Sequence, residues 1–130
     1  MFNVKVYSMS NEGAVKVSEN FRVREFKCHD GSDAIFIADE LLEVLQTTRT
    51  ELNSPVYINS AYRTQSHNAS VGGAKKSMHL YGCAADIRVE GYNSTEVFNY
   101  LDAKYNDRYG IIRYSGYVHI DVRPNKYREI

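Results

Sequence analysis

The sequence is short of several things, and each shortage removes a class of explanation. Only two of its 130 residues are cysteine and two are proline. Two thiols, Cys28 and Cys83, cannot make a disulfide framework and read as free, half-buried side chains. A nucleophilic role for either would need a base and an orienting partner, which spacing alone does not supply. There is no low-complexity tract, internal repeat or linker rich in Pro, Gly or Ser, so a single domain over residues 1–130 is the simplest organisation. Charge of one sign is also missing: 16 Lys plus Arg balance 16 Asp plus Glu. Domains that grip nucleic acid through phosphates, or settle on anionic membranes, usually carry a basic excess. Lys75-Lys76 and Arg22/Arg24 are too little to supply one. No apolar run approaches the roughly 20 residues of a spanning helix. The opening Met1-Phe2-Asn3-Val4-Lys5-Val6 alternates instead of following a basic region with an apolar core, so no signal peptide is expected and synthesis in the cytoplasm is.

What is present reads as an α+β chain with a core of ordinary size. Phe2, Val4 and Val6 share one side of a first strand, Ser10-Asn11-Glu12-Gly13 supplies turn chemistry, and Val15 and Val17 resume the alternation. This predicts a β-hairpin within residues 1–20. Ile35, Ala38, Leu41, Leu42, Leu45 and Leu52 then follow a helical spacing. With Asp30-Gly31-Ser32-Asp33 as cap and Asn53-Ser54-Pro55 as stop, they predict a helix over about 33–52. Val56–Ser60 reads as a strand, Thr64–Val71 as a brief helix stopped by Gly72-Gly73, and Ala84–Val89 as a strand. A second helix starts after Asn93-Ser94 and uses Val97, Phe98, Leu101 and Tyr105. A last strand covers Tyr117–Val122.

The chemistry concentrates in Ser77-Met78-His79-Leu80-Tyr81-Gly82-Cys83-Ala84-Ala85-Asp86. With a period of two, Asp86 faces one way and Ala85, Ile87 and Val89 the other. On the last strand Tyr117, His119 and Asp121 share a face opposite Val118, Ile120 and Val122. If the two strands pair, Asp86 and His119 sit side by side, and His79 can swing in from the loop before Gly82. Two imidazoles and one carboxylate, with a fourth position open, suit a catalytic zinc. Against this stands an ordinary reading, since a single His on a half-buried strand is more often a hydrogen-bonding residue than a ligand. His67 is expected to be exposed, and His29 beside Cys28 is no metal signature. The tyrosines of Tyr105–Gly110 and Tyr114 either line a groove for peptide or sugar or pack at the domain edge.

Ser77-x-His79-x-x-Gly82-x-Ala84-x-Asp86, preceded by Ser60-Ala61-Tyr62-Arg63 and followed by Val118-His119-Ile120-Asp121, resembles the zinc D-Ala-D-Ala carboxypeptidase family. Relatives in that clan include the vancomycin-resistance D,D-dipeptidase, phage L-alanyl-D-glutamate endopeptidases and the metal-binding fold of hedgehog signalling domains. The resemblance runs from about Phe21 to Arg123. Arg24-Glu25-Phe26-x-Cys28 is similar to the short, single-domain branch. It implies a small antiparallel sheet with helices on one face and a zinc site on the open face. It implies His79, Asp86 and His119 as ligands of one Zn2+, and Arg63 as the cation near the scissile carbonyl. Ser77 either binds substrate or caps the loop, and Arg63 otherwise reads as a salt-bridge residue.

The implied activity is hydrolysis, by zinc-activated water, of an amide in the peptide stems of bacterial peptidoglycan, by a carboxypeptidase or an endopeptidase. Peptidoglycan peptide is the implied partner, with neither nucleic acid nor membrane, and a monomer is expected. A wall hydrolase without a leader suits a phage or prophage lysis context. One position departs from the family. Its general base, an Asp or Glu three residues before the last ligand, is replaced by Gly116. Asp121 either substitutes as base or orients the metal site, and Asp102, Asp107 or Glu90 could approach from loops. The departure keeps a second function open, an inactive zinc-binding module for wall recognition or virion structure.

Overall fold

The computed structural model describes residues 3–130, so Phe2, counted on the apolar side of the first strand, lies outside the described residues. The chain runs through β1 (Val4–Ser8), α1 (Met9–Glu12), β2 (Lys16–Ser18), β3 (Phe21–Arg22), β4 (Ala34–Ala38) and α2 (Asp39–Leu52). It continues through β5 (Val56–Ser60), α3 (Gln65–Ser70), β6 (Ala84–Val89), α4 (Ser94–Lys104), β7 (Gly110–Arg113), β8 (Val118–Asp121) and β9 (Tyr127–Glu129). Short 3-10 turns occupy Val23–Phe26 and Met78–Tyr81. The result is α+β, as expected, and no described helix is long and apolar enough to cross a membrane.

Three readings are corrected. The N-terminal stretch is not a hairpin on itself. β1 pairs antiparallel with β4, from Val4 opposite Ala38 to Ser8 opposite Ala34, while β2 pairs with β3 in a separate two-stranded ribbon. Ile35 and Ala38 consequently belong to a strand and not to the first turn of the long helix. Ile35-Phe36-Ile37 is a run of β-branched and aromatic residues that a pairing strand can claim, although its spacing also fits a helical stripe. Asp33, expected near the helix cap, instead accepts from Ser8 Oγ and Ser10 N–H at 2.7 Å each. The helix begins at Asp39 with no side-chain cap and ends where Asn53 turns left-handed at φ 49°. His67, expected to be exposed, is half-buried, with its ring 6.5 Å from that of His29.

The second half follows the expected elements and adds two strands. The main sheet has the order β5-β6-β8-β7-β9, antiparallel except for the parallel edge pair β7 and β9. Helices α2 and α4 pack against it, with α2 contributing Leu41, Val44 and Leu45 and α4 contributing Val97, Phe98 and Leu101 to the core. They meet Ala85, Ile87, Ile111, Val118 and Ile120, which line the core side of the sheet. Tyr105 and Tyr109 are buried in the same cluster, the packing alternative of the two. Arg128 closes the edge by donating to Asp102 Oδ1 and to the carbonyls of Tyr105 and Tyr109 at 2.6–2.7 Å.

Candidate metal centre

Two short stretches of backbone assemble the site. Ala61–Arg63 runs on from β5, and Arg63 N–H donates to the His79 carbonyl of the neighbouring 3-10 turn at 3.1 Å. Ser77 opens that turn, its hydroxyl accepting the His79 N–H at 3.2 Å. Gly82 closes it at φ 72°, packed so tightly that a Cβ would lie 2.4 Å from the Phe36 carbonyl oxygen. Only glycine takes that backbone angle against that neighbour without strain. The tight exit sends the chain straight into β6, and so His79 and Asp86 face one space. Asp86 in turn lies directly opposite His119 across the β6–β8 pair.

The three side chains converge on a point. Asp86 Oδ1 is 3.1 Å from His119 Nδ1 and 3.3 Å from His79 Nε2, and one ligand atom from each residue lies within 4.8 Å of the other two. Their remaining nitrogens are both committed to acceptors. His79 Nδ1 is 2.6 Å from the Ala61 carbonyl, and His119 Nε2 is 2.7 Å from Asp121 Oδ2. A carbonyl and a carboxylate can only accept, so those nitrogens carry the hydrogens and the inward ones are free to offer lone pairs. Two lone pairs and a carboxylate oxygen pointed at each other repel unless a proton or a cation lies between them. Two ligands held 2.0–2.1 Å from a tetrahedral zinc sit about 3.4 Å apart, close to the spacings here. The donor set therefore fits a divalent metal of zinc's preferences.

The electrostatics agree. Burial alone would raise the Asp86 carboxyl, but a positive charge beside it, here that of the His119 and His79 imidazoles when protonated, outweighs burial and holds the group well below the usual carboxylate range. Burial would likewise push the His119 imidazole down, yet Asp121 and Asp86 raise it. Asp121 is fully buried behind His119, where the imidazole and the Arg123 guanidinium bring it down to about 2. Arg123 grips both its oxygens at 2.7 Å. Neither oxygen is left unpartnered, since Oδ2 also meets His119 Nε2.

Arg63 stands beside the second oxygen of Asp86, with Nη2 3.3 Å from Oδ2, and only 15% of its side chain is exposed. Its Nε donates to Ser60 Oγ and its Nη1 to Asn68 Oδ1. One N–H on each terminal nitrogen is left over, and Arg63 lines the cleft into which they can point.

That cleft has a volume of about 460 Å³, and Arg63, His79, Asp86, His119 and Arg123 are among the residues that line it. Val71–Ala74, Lys76 and Ser77 also line it, as do Tyr114 and Tyr117, whose rings stack 4.6 Å apart. Among the described residues Asp86 is the only carboxylate that lines it. Gly116 borders a separate depression with Ser115, Tyr92 and Tyr57. Glu90 accepts from the Tyr57 hydroxyl there, Asp102 is held by Arg128, and Asp107 pairs with Arg108 on the surface. His29 and His67 are also elsewhere, His29 bonded to the Asn59 carbonyl. Asn68, Arg123 and Lys76 escaped the sequence reading as contributors to the site, while Tyr117, read on the face of His119, does line the cleft. An arginine two residues past Asp121 on an ending strand was the one visible signal.

Residues 16–121 match a family model described as Peptidase M15. No curated protein gives a match.

Proposed function

The chain belongs to the peptidase M15 family of zinc-dependent peptidases, and from that premise we propose that it hydrolyses an amide bond in the peptide stems of bacterial cell walls. The observation that carries the reading is the convergence of His79, Asp86 and His119 on one point with Arg63 beside them. In this reading the three hold one zinc ion. When bound, zinc supplies the Lewis acidity that activates water and polarises the scissile carbonyl. The protein's own residues do the rest. The Ala61 carbonyl and Asp121 fix the two imidazoles in the tautomers that offer lone pairs inward. The Arg63 guanidinium offers its spare N–H groups to the negative charge that develops on the carbonyl oxygen. Ser77 holds the turn that carries His79.

The charge of the cleft supports stems as the substrate class. Arg63 and Lys76 line it against the single carboxylate of Asp86, while the charge of Arg123 is met by Asp121, a balance that favours peptides with free carboxylates. Cell-wall stems are such peptides. Release at the wall in a phage-type lysis setting belongs to the same proposal.

One observation favours the second reading, a zinc module that recognises wall or virion components without cutting. No carboxylate besides Asp86 borders the cleft among the described residues, so no acidic side chain is at hand to take the proton of water. One experiment separates the two. Purified protein with its metal content measured is incubated with peptidoglycan and synthetic stems, and newly freed amines are counted. Turnover that follows bound zinc and disappears in Asp86→Ala supports the peptidase. Stoichiometric zinc with no freed amine from several wall chemotypes overturns it in favour of the module.

A further inference from the structure

Behind the cleft, Asn68 is a polar side chain with almost no solvent exposure, at 3%, on the short helix α3. A buried carboxamide is costly unless both its ends are used. Here Nδ2 donates to the Ala74 carbonyl at 2.8 Å, and Oδ1 accepts from Arg63 Nη1 at 3.2 Å. Its backbone carbonyl also accepts the Gly73 N–H at 2.8 Å. One residue thus grips both the cation of the site and a stretch of the cleft lining. Gly73 is shaped around this grip, since a Cβ there would fall 2.1 Å from Asn68 Oδ1.

We propose that Asn68 is a positioning residue that aims the Arg63 guanidinium at Asp86 and fixes the Gly73–Ala74 stretch of that lining. The Arg63 side chain reaches Asp86 through one long contact and is otherwise held by the half-buried Ser60 hydroxyl and by Asn68. Without Asn68 the guanidinium loses the partner that opposes Ser60 and swings off the carboxylate. Asp86 then keeps Oδ1 between the imidazoles but loses the restraint on Oδ2. The inference rests on the zinc reading of the site but not on catalysis, and so its test is independent of turnover.

Zinc affinity is measured by chelator competition for the wild type, Arg63→Ala, Asn68→Ala and the double variant. Each single change is expected to weaken binding by roughly 10-fold, the lower end for residues that orient a ligand, and the double variant by no more than Arg63→Ala alone. Gly73→Ala, which intrudes on the same carboxamide, is expected to give a smaller loss in the same direction. In parallel, the 15N-detected Arg63 Nε–H signal of the metal-free protein is expected to be sharp in the wild type and broadened or moved in Asn68→Ala. Wild-type affinity in a folded Asn68→Ala, or losses that multiply in the double variant, would overturn the inference. So would an unchanged Arg63 signal, which reads the grip even in a chain that takes up no zinc. Failure of the wild type itself to bind zinc would instead mark the failure of the metal reading.

Discussion

On one side of β6 and β8 lie Ala85, Ile87, Val118 and Ile120, all at 0% exposure, and on the other lie Asp86, His119 and Asp121 at 7%, 8% and 0%. The two sides are buried almost equally, and so burial does not tell them apart. Partners do. The apolar side gains from area removed from water, a quantity without direction that tolerates repacking. The polar side gains only while every group keeps its complement: Asp86 has two imidazoles and a guanidinium, and Asp121 has an imidazole and a bidentate arginine. Two sides of one pair of strands should accordingly fail in different currencies, the apolar one in stability and the polar one in metal affinity.

The largest expected effect is Asp86→Ala. Zinc affinity should fall by well over the roughly 100-fold that losing an outer partner costs, read as metal per chain after dialysis. Retained stoichiometric zinc would break the comparison. Ile120→Ala comes next, with an expected loss of about 2–5 kcal/mol in urea unfolding while the folded fraction still binds one metal. If this change weakened zinc as much as a polar-side change, the two sides would not be separable. Asp121→Asn keeps the shape behind His119 and removes the charge. It should weaken zinc by about 10–100-fold by chelator competition.

The smallest effect concerns Cys83, at the entrance to β6. Burial first, and the nearby Asp121 carboxylate second, push its thiol up to about 11. At pH 8 the native protein should therefore leave Cys83 unalkylated while the unfolded chain reacts. Its influence on stability is confined to alkaline conditions. Above 9.0 the unfolded thiol ionises while the folded one keeps its proton, so stability falls as pH rises from 9 toward 11. Cys83→Ala should flatten that decline.

The central site was legible because period-two alternation is a strong constraint. Placing Asp86 and His119 on matching faces of two strands needed only their sequence neighbours, and the observed register sets them directly opposite. The brief helix before Gly72-Gly73 and the helix after Asn93 were legible from cap chemistry. The N-terminal region was not. Ile35 and Ala38 fit a helical stripe as well as a strand. The deciding fact, a partner strand at Val4–Ser8, is a long-range pairing that local pattern does not encode. β7 and β9 were missed for a similar reason, being short and completed by Arg128 reaching from one to the end of α4. Asn68 left no trace either. In Gln65–Ser70 it reads as one more polar residue on a surface helix, and only the packed structure shows its carboxamide working inside.

The direct opposition of Asp86 and His119 carries a further consequence for how the chain reaches its fold. A slip of β8 by one residue against β6 would turn His119 and Asp121 into the core and bring Val118 and Ile120 to the polar side. Such a chain could keep most of its ladder and its helices, yet β8 would present no ligand beside Asp86 and His79. A metal ion bridging these two strands would therefore bind one alignment and refuse its neighbours, serving during folding as a proofreader of strand register.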